Sequence, residues 1–578
     1  MKVKDLSDLK ARQKAAMDYR ESLYKDADWR EYEDYWMAKY PNEEGILCVP
    51  VLVSDAQRQM ASLTGATPML ELSTNQPELI PAARVIAAQL NQLARNMKIA
   101  DQMQDAVQDA ITLGTGFLLD GYGSQYGTSY STANEGIDDS RYDDKYHRIE
   151  YHENIQDNMP WTLRAHPSDI LVPSGTIREA DCSGFWHRYI RHIDDVKADE
   201  KYMKKHRAKL KPDVNIADTT VGMAGSFNRD VDLEHVILQD FYNYKDSKRT
   251  SYNENYGFAM ADDVDEIMIR IDRLPLHSII FNRNSRMFWG TSDFNFQEDN
   301  AKEINDIRTA QVILRNLQKS KGFYDKNMLE DETDMENFEK ALASMTSDEA
   351  MALIGINGDP TRFIQQFTPH QMPDMTAQLQ LCKSEIQEFG LGVGPHQRGQ
   401  MAPGRHTKYE TQVAEGGFDM SLTPRLKVIR DVYIEIFKNW SELIFEFWDE
   451  PQQIQTYDAM GNQVVVEFKG ADLRGDYRFK ISLDSMRAKN QQQRTEEANM
   501  ILAQTMPGVQ MGVVDPRVLY RQYLSRLNSD WDIDSLVPMP QQPQSMPFSQ
   551  YQQQFGQQMP QNEPGIAQLM GQLGGQIG

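Results

Sequence analysis

SDFNFQEDNAKEINDIRTAQVILRNLQK, residues 292–319, is the stretch on which the fold turns. Ile304, Ile307, Leu314 and Leu317 recur at helical steps and build one apolar stripe. Asp293 stands near the start and Arg315 and Lys319 near the end, which suits the dipole of a helix. At 1.5 Å per residue such a rod is about 40 Å long. Outward from it, 321–369 is an acidic α/β insert with ALIGI near its end as a strand. A second helix then follows over 374–389, through Met375, Leu379, Leu381 and Ile386. Two helices thus flank one small lobe.

GLGVGPHQRGQMAPGR, 390–405, is too rich in Gly and Pro for a helix or sheet and is expected as a loop. Beyond it 406–449 is a very long helical segment, with a kink expected at Gly416-Gly417 and a break or bend at Pro424. A hairpin is expected from 454–457 and 463–468 around Met460-Gly461-Asn462, then a strand in YRFKISLD. Helices over 488–504 and 516–527 complete the folded part. After about Leu536 the chain is Gln, Pro, Met and Gly in low-complexity order, and is expected to be a disordered tail.

On the N-terminal side, the first forty residues mix charge with Tyr19, Tyr24, Trp29, Tyr32, Tyr35, Trp36 and Tyr40, the composition of helices that dock on something; Pro41 ends the block. One long helix is expected over 77–113, because Ile86, Leu90, Leu93, Met97, Met103, Val107 and Ile111 share a face, with Gly114 and Gly116 stopping it. GFLLDGYG and WTLRAHPSDILVPS are strand-like and are separated by an acidic, Tyr- and Gly-rich excursion, 124–157. The region 115–290 is therefore mixed α+β. HRYIRHIDDVKADEKYMKKHRAKLK, 187–211, is the most basic stretch. With Ala and Glu at helix-favouring positions, it is either a solvated helix face or a docking patch for an acidic partner.

The chain has 578 residues, enough for several compact units or one large elongated subunit. With 40% hydrophobic residues and a mean hydropathy of -0.62, it has material for substantial cores under a polar surface. No window offers the roughly 20 apolar residues of a membrane span, and the charged start MKVKDLSDLKARQK is unlike a signal peptide. Cys48, Cys182 and Cys382 match neither a paired-thiol motif nor a zinc knuckle and are expected as reduced thiols of a cytoplasmic protein. A net charge of -24 opposes generalised coating of nucleic acid, which needs a basic excess to displace counterions.

The motifs of common chemistry are missing. No G-x-x-x-x-G-K-[ST] occurs, so the chain is not expected to be an ATPase, and H-E-x-x-H and G-x-S-x-G are absent. GLGVG (390–394) and GYGSQYG (121–127) lack the strand-to-helix context of a dinucleotide site. His147 with His152 and His187 with His192 have a spacing that a helix turns into a metal site. Those segments look like strand or loop, however, and have no third ligand near in sequence. Glu330, Asp331, Glu332, Asp334 and Glu336 are expected to be a solvated surface rather than a cation site. No catalytic residue, metal or cofactor is assigned.

The order of elements resembles the portal (head-to-tail connector) family of tailed bacteriophages. The likeness runs to about residue 530 and is strengthened by QDAITLGTGFLLDGYG, LPLHSIIFNRNSRMFWGTSDF and LRGDYRFKISLDS. The resemblance implies an α+β, mainly α-helical subunit with wing, stem, clip and crown, assembling as a ring around a central channel. Its implied divisions are a wing over 1–291, stem helices over 292–319 and 373–391, a clip over 320–372, and a tunnel loop over 392–405. A long kinked helix with returning wing strands would occupy 406–484, a crown 485–535 and the tail 536–578. No apolar heptad continues into a C-terminal barrel.

The resemblance further implies a non-enzymatic homododecamer at one capsid vertex of the virion, assembled in the host cytoplasm. Its partners would be double-stranded DNA in the channel, the terminase large subunit, head-tail adaptors, the major capsid protein and a scaffold. His396, Arg398, Arg405, His406 and Lys408 form a local cationic group with no acidic residue from Gly390 to Tyr409. They are expected to touch the phosphate backbone transiently, the alternative being a flexible solvent-facing loop. The rival readings are another virion structural protein, such as a core or scaffolding component, and a DNA-processing enzyme subunit.

Overall fold

The computed structural model describes residues 3–24, 26–39, 47–66, 68–123, 159–199, 201–212, 235–317, 320–325, 351–356, 375–389, 408–457, 463–482, 486, 491–510, 516, 519–520, 523–524 and 545–558. The chain is α+β. It forms two compact units, one of residues 1–29, 56–293 and 419–578, the other of 30–55 and 294–418.

The aromatic N-terminal block forms helices α1 (Val3–Glu21) and α2 (Asp26–Trp36), followed by α3 (Val51–Thr64) and strand β1 (Leu70–Ser73). The single helix expected over 77–113 is two, α4 (Ile80–Asn96) and α5 (Ile99–Thr112), after a 3-10 turn at Pro77–Leu79. Lys98 adopts a left-handed backbone (φ 47°) and separates them. All seven residues of the predicted stripe are buried, so the break divides the stripe between two helices without exposing it. Gly114 closes α5 at φ +89°, where a Cβ would meet the Gly290 carbonyl at 2.4 Å.

Strands β2 (Gly116–Tyr122), β3 (Pro160–Ala165) and β4 (Ile170–Leu171) follow as expected. The basic stretch 187–211 is not one helix. It runs through β5 (Gly184–His192), α6 (Ile193–Ala198) and the single turn α7 (Lys204–Arg207). Burial decides this: Arg191 is 1% exposed and bonds Asp199 at 2.6 Å, and β5 pairs along its whole length with the next strand.

That strand, β6 (His235–Asn243), leads to β7 (Lys248–Tyr252), β8 (Ala259–Val264), α8 (Glu266–Ile271) and β9 (Leu276–Ile279). The strands assemble as an antiparallel five-stranded sheet, β4-β5-β6-β7-β8, and an antiparallel three-stranded sheet, β3-β2-β9. Leu6, Leu9 and Ala16 of α1 pack on the larger sheet with Leu171, Trp186 and Tyr252.

The stretch 292–319 forms α9 (Asp293–Leu317), and strands β10 (Ser320–Asp325) and β11 (Met351–Ile356) pair in parallel, with ALIGI inside β11. Helix α10 (Thr376–Phe389) returns. Ile304 of α9 packs with Cys382 and Ile386 of α10, and Val49 and Val51 lie against the cluster. Leu381, expected on the apolar stripe, is 56% exposed; Cys382, which shares a face with Ile386 at a four-residue step, takes the buried place.

Helix α11 (Lys408–Phe447) continues through Gly416, Gly417 and Pro424, so of the break or bend expected at Pro424 there is no break. Its C-terminal half is rich in buried side chains, among them Ile436, Phe437, Trp440 and Leu443. These apolar contacts outweigh the one backbone hydrogen bond that proline removes. The hairpin is β12 (Gln452–Tyr457) with β13 (Gln463–Phe468), its turn lying outside the described residues. Strand β14 (Arg478–Ile481) pairs with β1.

Helix α12 (Gln491–Gln510) overlaps the first expected C-terminal helix; most of 516–527 lies outside the described residues. The tail expected to be wholly disordered contains β15 (Ser545–Pro547), parallel to β13, and α13 (Phe548–Gln558). Phe548 and Tyr551 are 7% and 1% exposed, two aromatic anchors that average composition hides. No helix among the described residues is long and apolar enough to cross a membrane.

Candidate functional site

His396, Arg398, Arg405 and His406 lie outside the described residues, as do the acidic run 330–336, His147 and His152. Lys408 is the first residue of α11. His187 and His192, the other pair singled out from spacing, lie in β5, and burial holds the His187 pKa down at about 4 and keeps it neutral.

The polar centre that the fold builds is elsewhere, on the three-stranded sheet. Strand β2 pairs Asp120 with Thr162 on one side and Leu118 with His277 on the other, so Asp120 and His277 are diagonal neighbours on one face. Asp120 Oδ1 accepts from Thr162 Oγ1 at 2.6 Å, and Oδ2 lies 2.7 Å from His277 Nε2 and accepts from Asn439 Nδ2 at 2.7 Å. Trp440 Nε1 donates to Thr162 Oγ1 at 3.0 Å, which extends the network into α11. Asp120, Thr162, His277, Asn439 and Trp440 are all at most 3% exposed. A buried carboxylate with three donors is well satisfied, and it fixes the imidazole ring by its Nε2 edge.

The opposite edge of that ring is different. His277 Nδ1 is buried and has no hydrogen-bond partner among the described residues; Glu435 Oε2 of α11 is 3.7 Å away, beyond hydrogen-bond range. Glu179, in a 3-10 turn before β5, completes a group in which one ligand atom each from Glu179, His277 and Glu435 lie within 4.8 Å of one another. Glu179 Oε2 accepts from Ser278 N at 2.9 Å and from Ser278 Oγ at 2.5 Å, bonds that hold it beside β9.

Electrostatics follow from this crowding. Burial alone would lower the His277 pKa, but Asp120, with help from Glu435 and Glu179, raises it to about 10. Burial pushes Glu179 up, with His277 and Ser278 opposing; the contact with His277 holds Glu435 below its ordinary range. Arg273 and Lys438 also help to hold Glu435 down, so the imidazolium is not the sole cation near the acids.

Glu179 and Glu435 line an open cleft of about 750 Å³, which Arg178, Arg273 and Arg283 also line. Cys182 is at its wall, but burial raises its pKa to about 11 and its Sγ donates to Gly184 O at 3.0 Å, so it is a neutral thiol and not a thiolate nucleophile. The arrangement suits holding a positive charge rather than covalent chemistry. Sequence reasoning missed all three acids and His277. The available signal was a histidine and an aspartate placed inside otherwise apolar strands, LPLHSII and GFLLDGY.

Compared with known proteins, the chain matches no family model and no curated protein.

Proposed function

We propose that the chain is a portal subunit of a tailed bacteriophage, one of a ring through which double-stranded DNA enters and leaves the capsid. The observation that carries this reading is the succession of α9, the parallel strand pair β10–β11, α10 packed on α9, a Gly- and Pro-rich stretch, and the 40-residue α11. Two rods joined through a strand pair are suited to line a passage when copies are arranged in a circle.

Phe296 and Ile313 of α9 and Leu381 of α10 are 59%, 53% and 56% exposed, apolar surface that neighbouring copies would cover. The charge of -24 suits a wall along which a polyanion slides, since a basic lining would release counterions and pin the duplex. In this reading 392–405 is the tunnel loop, and His396, Arg398, Arg405, His406 and Lys408 touch phosphates transiently. Twelve subunits, the terminase large subunit, head-tail adaptors, capsid protein and scaffold come with the family reading.

Negative-stain images of the purified full chain test it. Rings with a central hole are expected; a monomer, or a solid particle without a passage, would overturn it. In particles, Arg398→Glu with Arg405→Glu should reduce packaged DNA while rings still assemble, and unchanged packaging would remove the loop's role.

A further inference from the structure

We propose that Glu179, His277 and Glu435 form a site for one divalent transition-metal cation, zinc being the best fit. The site contains an imidazole nitrogen aimed at two carboxylates. His277 is 1% exposed, and its Nδ1 is the one polar edge of the Asp120–His277 pair left without a hydrogen bond among the described residues. Leaving a buried polar nitrogen unbonded costs free energy, and a cation between it and the two acids removes that cost.

The surroundings match what a metal-bound histidine needs. Its other nitrogen is bonded to a buried carboxylate, Asp120, which is itself fixed by Thr162 and Asn439. Such an outer carboxylate sets the ring orientation and raises the basicity of the ligating nitrogen. Ser278 orients Glu179 through two hydrogen bonds. Nitrogen with carboxylate oxygen is a donor set for zinc and its first-row neighbours rather than for calcium, which takes oxygens alone.

The separation of the three ligand atoms, at most 4.8 Å, closes to coordination distance with small side-chain rotations. Binding displaces the proton from Nδ1, so each cation bound releases one proton or more. The carboxylates line the cleft, which gives the cation a route of entry and leaves its remaining positions to water. The bound ion would join the turn before β5, strand β9 and helix α11, three segments distant in sequence. The site does not depend on the portal reading, and ring images and metal content fail separately.

The test uses the full-length protein, stripped with EDTA, dialysed, and titrated with zinc sulfate, with metal content read by plasma mass spectrometry and ligation by the absorption of a cobalt-loaded sample. One equivalent per chain is expected, with no thiolate charge-transfer band. Glu179→Gln with Glu435→Gln should abolish it, and Asp120→Asn should weaken it about 10- to 100-fold. Cys48→Ser should leave it unchanged. Wild-type protein that retains no stoichiometric zinc, or a double variant that retains as much as wild type, would overturn the assignment. If the double variant does not fold, Glu435→Gln alone decides, because that side chain is 44% exposed and dispensable for packing. At least a tenfold loss of affinity is expected there, and equal affinity would refute the site.

Discussion

Two buried ionic clusters in the same unit contrast in charge balance. In the five-stranded sheet, Arg249 Nε bonds Asp240 at 2.6 Å and Arg191 bonds Asp199 at 2.6 Å, with Tyr189 and Tyr202 filling the remaining valences. Asp240 and Asp199 each have their own guanidinium, and Lys201 adds a third buried cation beside them. On the three-stranded sheet, three carboxylates share His277, and one edge of the ring is left unbonded. A cluster in which the cations already outnumber the acids has no place for another; one in which an idle ring nitrogen faces two acids has room for a cation.

The contrast can be broken most severely at Arg249. Arg249→Met leaves Asp240, 0% exposed, without its partner, and about 3–5 kcal/mol of stability should be lost, measured by urea denaturation. A loss below about 1 kcal/mol would show that this cluster is not held by its ion pairs.

Acid sharpens the same point. Burial would raise the Asp240 pKa, but Arg249 and Lys201 outweigh it and hold the carboxyl down at about 2, below the unfolded value of 3.8. Its stabilising contribution is therefore complete above pH 4 and disappears as pH falls through 2. The urea midpoint should fall across that window, and Asp240→Asn should flatten the fall.

A third buried carboxyl, in the 3-10 turn just before β4, lacks a good partner. Asp169 Oδ1 has no hydrogen bond among the described residues and is 3.5 Å from Arg188, and burial raises its pKa to about 6. The ionised form destabilises the fold above pH 6, and protonation relieves this as pH falls towards 4. Asp169→Asn should thus stabilise the protein by about 1 kcal/mol or more at pH 7 and have less effect at pH 4. The smallest effect is expected for Glu435→Gln in metal-stripped protein, within about 1 kcal/mol, because this acid is part-exposed. A much larger loss would make Glu435 a structural partner of His277 in its own right.

Much of the fold is legible in sequence because burial leaves a period. The stripe Ile304 and Ile307 marks α9, and the apolar runs GFLLDGY and LPLHSI mark β2 and β9. The break at Lys98 is not legible, because a lysine in the left-handed region carries no composition signal and the buried face continues on both sides. The basic stretch misleads for a related reason: Arg191 counts as surface until Asp199 buries it. The candidate site is half legible. His277 and Asp120 stand out as polar residues in apolar strands, whereas Glu179 comes from a turn and Glu435 from a helix face with no local mark.

The return of 545–558 to the sheet has a practical side. Strand β15 covers the flank of β13 that the hairpin partner β12 does not. Trimming the chain at 536, as its glutamine-rich end invites anyone preparing a shorter version to do, would strip that flank and bare its amide and carbonyl row. Uncovered rows of this kind recruit foreign strands, and the shortened protein would aggregate where the longer one stays dispersed.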